Sequence, residues 1–177
     1  ENQSRESMGI LLCLYTGLRI GEICGLRCND IDRATGILRV RRTVQRISDG
    51  NGGTEIWIDA PKTQRSAREI PVPSFLLDTV CEQAWKGCYL LTGTDTPMQP
   101  RTLQNHFKRI LKECGLRNLR FHALRHTFAS RAIEVGFDAK SLSEILGHAS
   151  VNITLDRYVH SSMELKRSHM QRFAAVL

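Results

Sequence analysis

A chain of 177 residues with 41% hydrophobic and 24% charged content can bury about two-thirds of its unfolded surface in a core, so it needs neither disulfides nor a metal to fold. No apolar run approaches the roughly 20 residues of a membrane span, and no secretory signal pattern is seen. The net charge of +7 favours a polyanionic partner, nucleic acid being the commonest, against the plainer reading of a solvated basic face.

The segment from Ser4 to about Tyr15 is apolar at helical spacing. Thr16-Gly17 breaks it, and Arg19 to Gly25 reads as a second short helix. Leu38 and Val40 alternate with Arg39 and Arg41, the period of a half-buried strand. A turn cluster follows at Asp49-Gly50-Asn51-Gly52-Gly53. Ile56 and Ile58 alternate in a second strand stopped by Pro61, and Arg68 to Val72 forms a third stopped by Pro73. These three are expected to make one small antiparallel sheet.

Ser74 caps a helix carrying Leu76, Leu77, Val80 and Ala84, and Thr92 to Pro100 reads as loop. Arg101 to Cys114 is amphipathic, with Gly115 as its stop. Further helices are expected from about His122 to Val135, from about Ala139 to Leu146, from Ser150 or Asn152 through Tyr158, and from Met163 to Leu177. The fold class is mainly α with a small three-stranded antiparallel β-sheet, in one domain. The cysteines at 13, 24, 28, 81, 88 and 114 form no CxxC pair, which fits a reduced, intracellular chain and offers no zinc-ligand spacing.

The chemistry concentrates in the C-terminal third. In the helix from His122, Leu124, Phe128 and Ala132 recur every four residues as a buried stripe, and His122 and Arg125 sit three apart on a neighbouring face. An arginine fork there can hold two non-bridging phosphate oxygens, and a histidine beside it can donate or shuttle a proton. Taken singly, each would as readily be an ion pair or a packing residue. His126 is expected to make buried structural hydrogen bonds. Its pairing with His122 lacks the glutamate of a zinc motif, so no metal is expected. His148 follows the helix-ending Gly147, near a C-terminus where an imidazolium is tolerated.

Tyr158 is a weak nucleophile at its ordinary pKa of about 10. Cations around it would stabilise both its phenolate and a pentavalent transition state. The first half supplies two more: Arg19, with Glu22 one helical turn on to orient it, and Lys62 in Pro61-Lys62-Thr63, at the tip between the second and third strands. From there a lysine can reach a DNA groove or protonate a leaving 5′-oxygen; the ordinary alternative is a solvated loop residue. Arg101, Gln104, Asn105 and Lys108 on one polar helix face, and Arg65 beside the hairpin, are candidate DNA contacts or simply a solvated face.

The order Arg19, Lys62, His122-x-x-Arg125, His148, Tyr158, set in TGLRIGEICGL, PKTQRSAREIPVP, FHALRHTFASRAIEVG and SLSEILGHASVNITLDRYVH, resembles the catalytic domain of the tyrosine recombinases, the integrases of phages and conjugative transposons. The resemblance implies that Arg19 and Arg125 clamp the scissile phosphate, and that His122 and His148 hydrogen-bond it and assist proton transfer. Lys62 would then be the general acid, Tyr158 the nucleophile that forms a 3′-phosphotyrosine bond, and Glu22 the acid behind the arginine. It implies no cofactor, metal or ATP. The implied partners are double-stranded DNA recombination sites, and the chain would be a tetramer on DNA and a monomer alone, in the bacterial cytoplasm at the nucleoid. It also implies upstream core-binding and arm-binding domains that this chain begins too late to contain. The rival readings are a type IB topoisomerase with the same nucleophile, a non-catalytic DNA-binding protein, and a metallohydrolase built on His122 and His126.

Overall fold

Met8 and Leu12, one helical turn apart, are both fully buried, and this stripe anchors the first helix, α1 (Arg5–Thr16). The computed structural model describes residues 5–48, 50, 53–59, 67–82, 87–158 and 163–175. After α1 come α2 (Ile20–Gly25), a single 3-10 turn at Cys28–Asp30, and strands β1 (Ile31–Asp32), β2 (Ile37–Val40), β3 (Thr43–Ser48), β4 (Thr54–Asp59) and β5 (Arg68–Pro71). The helices α3 (Ser74–Glu82), α4 (Pro100–Glu113), α5 (His122–Glu134), α6 (Ala139–Leu146), α7 (Val151–Tyr158) and α8 (Met163–Ala174) complete the order. The expected extension of α3 to Ala84 lies outside the described residues. No helix among the described residues is long and apolar enough to cross a membrane.

A three-stranded antiparallel sheet is present, but its membership differs from the expected one. Its order is β1-β2-β5, with Leu38 opposite Ile70 and Val40 opposite Arg68. The strand of Ile56 and Ile58 instead pairs with β3 in a separate two-stranded sheet, with Val44 opposite Ile58 and Gln45 opposite Trp57. β3 and β4 are adjacent in sequence, and antiparallel strands so close along the chain favour pairing with each other. Alternation misleads in β4 because both of its faces are open: Ile56, Trp57 and Ile58 are all exposed.

Among the described residues, two apolar clusters organise the fold. The larger joins Met8 and Leu12 of α1, Ile23 of α2, Leu38 and Ile70 of the sheet, and Leu76 and Leu103 of the following helices. The smaller consists of Ala129 and Ala132 on α5 with Leu142 and Leu146 on α6, and Phe128, Ile133 and Tyr158 pack against it. The candidate site lies across the boundary between them.

Candidate active site

The site begins where α1 stops. Gly17 takes φ +65°, and a Cβ there would come within 2.5 Å of Phe128 Cδ1 and 2.8 Å of Leu146 Cδ2. Only glycine meets both the conformation and the space. The close approach brings the Gly17 carbonyl onto α5, where Arg125 Nη1 donates to it at 2.6 Å while Nη2 donates to the Leu146 carbonyl at 2.7 Å. Arg125, 2% exposed, therefore ties α1, α5 and α6 together. Burial, and then the neighbouring Arg19, lower its pKa to about 10, so it is still a cation at neutral pH.

Glu22 organises the other arginines. It accepts the Arg19 backbone N–H at 2.8 Å and Arg19 Nη1 at 2.9 Å, which explains why an acid sits three residues after Arg19, the N-cap of α2. From the opposite side Arg68 forks onto both carboxylate oxygens, each at 2.9 Å. The Glu22 and Arg68 side chains are each 6% exposed, against 42% for Arg19. Burial alone would raise the Glu22 pKa; the hydrogen bonds and charges of Arg68 and then Arg19 hold it below its ordinary value.

The same arginines fasten the α6–α7 turn. Arg68 Nε donates to the Ile145 carbonyl at 2.6 Å, and Arg19 Nη2 to that of Gly147 at 2.9 Å. Gly147 closes α6 in the left-handed region at φ 63°, and a Cβ there would meet Arg68 Nη1 at 2.9 Å. The turn carries His148 inward, where its Nδ1 shares a 2.8 Å hydrogen bond with the fully buried Thr154 Oγ1. The expectation that this helix terminus tolerates an imidazolium is corrected. Burial, followed by Arg125, Arg19, Arg157 and Arg68, pushes the His148 pKa down to about 4. Four full positive charges outweigh the half-charge of one helix end.

Tyr158 ends α7 on the smaller cluster, and its hydroxyl lies 2.8 Å from His126 Nδ1. His126 in turn meets the His122 ring edge-to-face, with centroids 4.6 Å apart. His126 makes a hydrogen bond within the fold as expected, with the Tyr158 hydroxyl as its partner, though the ring is half-buried rather than buried. Burial first, and then nearby positive charge, lower the pKa of both rings; Arg157 and Arg125 act on His126, and His126, Arg125, Arg157 and Arg19 on His122.

Arg19, Glu22, His122, Arg125, His148 and Tyr158 are thus brought to one place. Lys62 and Arg65 lie outside the described residues. On α4, Arg101, Asn105 and Lys108 are exposed and Gln104 is half-buried. Gln104 and Lys108 line a cleft of about 340 Å³ with Arg120, His122 and Arg125. Arg101 and Gln104 border a second groove, of about 190 Å³, with Gln45 and Arg46 of the hairpin. Among the described residues no cluster of three or more His, Cys, Asp or Glu is arranged to hold a metal.

Sequence reasoning missed Arg68, which it read only as the start of a strand. The signal was parity: two residues from the buried Ile70, Arg68 points to the same inward face, and a buried cation requires a buried partner.

This fold, with a tyrosine hydroxyl set among arginines and histidines, defines the class of tyrosine recombinase catalytic domains. The chain belongs to the phage integrase family, whose sequence pattern matches residues 1–164. It is 33% identical over 172 residues to a tyrosine recombinase XerC-like protein of Caldanaerobacter subterraneus subsp. tengcongensis, covering 85% of this chain and 44% of that one. It is 27% identical over 184 residues to the transposase from transposon Tn916 of Enterococcus faecalis, covering 92% of this chain and 44% of that one. Among solved structures, the Tn1549 transposon integrase in complex with a circular intermediate DNA superposes with a TM-score of 0.78 at 27% identity, over 95% of this chain and 58% of that one. The chain spans about half the length of the curated relatives it matches.

Proposed function

We propose that residues 1–177 form the catalytic domain of a site-specific DNA recombinase of a mobile element, which cuts a strand through a 3′-phosphotyrosine bond and rejoins it to another. The observation that carries this reading is the Tyr158 hydroxyl held on the helix that presents His122 and Arg125. An arginine has five N–H donors. Carbonyls take two from Arg125; Glu22 and Gly147 take two from Arg19. The donors left over, on guanidinium groups already locked in place, clamp the non-bridging oxygens of the scissile phosphate without reorganising. His122 and His148 add hydrogen bonds to it. Because burial and then the surrounding arginines disfavour the charged form of both rings, each donates from one nitrogen only, and in His148 the bond to Thr154 fixes the ring.

Tyr158 attacks phosphorus in line with the 5′-oxygen, Lys62 protonates that oxygen, and the phosphodiester energy is kept in the phosphotyrosine bond. The reaction therefore needs neither ATP nor a metal. Arg101, Gln104, Asn105, Lys108 and Arg65 hold the flanking DNA backbone. Four copies assemble on paired recombination sites, the free chain is monomeric, and the protein works on DNA in the bacterial cytoplasm. Related proteins are named a transposase and a transposon integrase in complex with DNA, which supports the mobile-element reading.

Covalent trapping tests it. The protein carrying this chain is incubated with its DNA site in EDTA and run on a denaturing gel beside Tyr158→Phe. A shifted band lost in the variant is the expected result. A band that survives Tyr158→Phe, or that requires a divalent metal, overturns the proposal.

A further inference from the structure

The recombinase reading gives proton transfer to His122 and His148, but the tyrosine hydroxyl lies against a third ring, that of His126. The tyrosine must lose its proton as its oxygen bonds to phosphorus, and the arginines around it have no lone pair to receive that proton. We propose that His126 is a further catalytic residue, the base of this site: its Nδ1 takes the proton of the Tyr158 hydroxyl as that oxygen attacks phosphorus, and returns it on rejoining.

Geometry carries the assignment. The hydroxyl lies 2.8 Å from Nδ1, inside the range for direct proton transfer to a general base. His122, the other histidine of this helix, packs its ring against His126 rather than bonding the tyrosine, and the His148 Nδ1 is engaged with Thr154. The charged and titratable groups around His126 are His122 and Arg125 on α5 and Arg157 and Tyr158 on α7. Burial, and then Arg157 and Arg125, lower its pKa, so at neutral pH the ring is unprotonated and has a lone pair to offer. A hydroxyl that donates to Nδ1 places the ring proton on Nε2.

The step balances. In cleavage the tyrosine O–H bond breaks and a bond from Nδ1 to that proton forms. The tyrosine oxygen bonds to phosphorus, the phosphorus–O5′ bond breaks, and O5′ takes its proton from the acid assigned to Lys62. In rejoining, an incoming 5′-hydroxyl displaces the phenolate, which recovers its proton from His126. The same surroundings make the base conditional on substrate. Without DNA, an imidazolium beside Arg125 and Arg157 is disfavoured, so the tyrosine stays neutral. A phosphodiester brings a negative charge that offsets those cations and strengthens the base.

This inference rests on the recombinase reading, and one experiment separates their failures. Single-turnover cleavage is measured for wild type, His126→Ala, His126→Asn, Lys62→Ala and Tyr158→Phe on ordinary DNA and on DNA with a bridging 5′-phosphorothiolate, whose sulfur leaves without an acid. We expect His126→Ala to lose about 100-fold or more at pH 7, within the usual range for general acid–base catalysis, equally on both substrates. Asparagine keeps an acceptor near the Nδ1 position but cannot take the proton, so His126→Asn stays slow. Sulfur rescues Lys62→Ala.

Cleavage by His126→Ala within about threefold of wild type, rescue of that variant by sulfur, or full rescue by asparagine overturns the assignment and leaves the recombinase reading intact. A wild type that makes no covalent adduct, or a Tyr158→Phe protein that does, overturns both. Nitrogen-15 NMR of the wild-type protein gives an independent answer that needs no variant to fold. An unprotonated Nδ1 on His126 is expected, and a protonated Nδ1 overturns the proposal.

Discussion

The two halves of the candidate site are held in opposite ways. On one side Arg19, Arg68 and Arg125 are crossed by bonds to Glu22 and to the carbonyls of Gly17, Ile145, Leu146 and Gly147, against the edge of the larger core. On the other, Tyr158 rests on a small cluster whose fully buried members are two alanines and two leucines, with one hydrogen bond from its hydroxyl. A cation cradle must be rigid before substrate arrives, because preorganised charge is what lowers the barrier. On the proposed mechanism the tyrosine becomes attached to DNA and must move with it. Local opening is easiest where few apolar contacts oppose it, so amide exchange is expected to be faster along α7 than along α2.

Removing the partner at the centre of the cradle should have the largest effect. Glu22→Ala leaves Arg68 buried without its counter-charge, which costs about 3–5 kcal/mol in comparable sites, read from urea unfolding. It should also abolish adduct formation. A loss under 1 kcal/mol would show that the cradle is not what holds α2, β5 and α6 together. Gly17→Ala comes next. The left-handed backbone costs about 1–2 kcal/mol, and the clash with Phe128 and Leu146 adds roughly 1–3. Because the displaced carbonyl is an Arg125 acceptor, the cleavage rate should fall along with stability. On the lightly held side, Thr154→Val removes a single hydrogen bond, worth about 1 kcal/mol. Its signature is the His148 ring: its NMR titration should shift while the arginine side is unchanged.

Much of this division was legible in the sequence, for reasons that also explain what was not. The catalytic-type residues were visible because their spacing is local: His122 and Arg125 share a helix face, and Glu22 lies one turn from Arg19. The helices were visible by their period, and the glycine stops by the conformation they take. What joins the halves is not local. The hydrogen bond from Arg68 to Glu22 spans 46 residues and that from Arg125 to Gly17 spans 108, and the acceptors on Gly17, Ile145, Leu146 and Gly147 are carbonyls, which every residue has. The sheet was misassigned because period-2 alternation marks a strand but not its partner, and in β4 it did not mark a buried face either. The hydrogen bond expected of His126 is present, but its partner could not be read from spacing, because Tyr158 lies 32 residues on, in α7.

A further effect is one of pH, and its sign follows from the histidines. His122, His126 and His148 all have folded-state pKa values below their ordinary 6.5, that of His148 being about 4. Between those limits the unfolded chain binds protons that the folded chain refuses, so stability is full above about 6.5 and declines as pH falls towards 4. The carboxylate of Glu22, held below its ordinary 4.5, adds a further loss only as pH drops through its lowered value. The urea midpoint should therefore fall between pH 7 and pH 5, and His148→Asn should flatten that fall. Added sulfate should flatten it too, since an anion among the arginines makes an imidazolium less costly there. A midpoint level across that range would mean that the histidines charge freely in the folded protein. The arginines would then not reach across to the α7 side, and the two halves would be electrostatically independent.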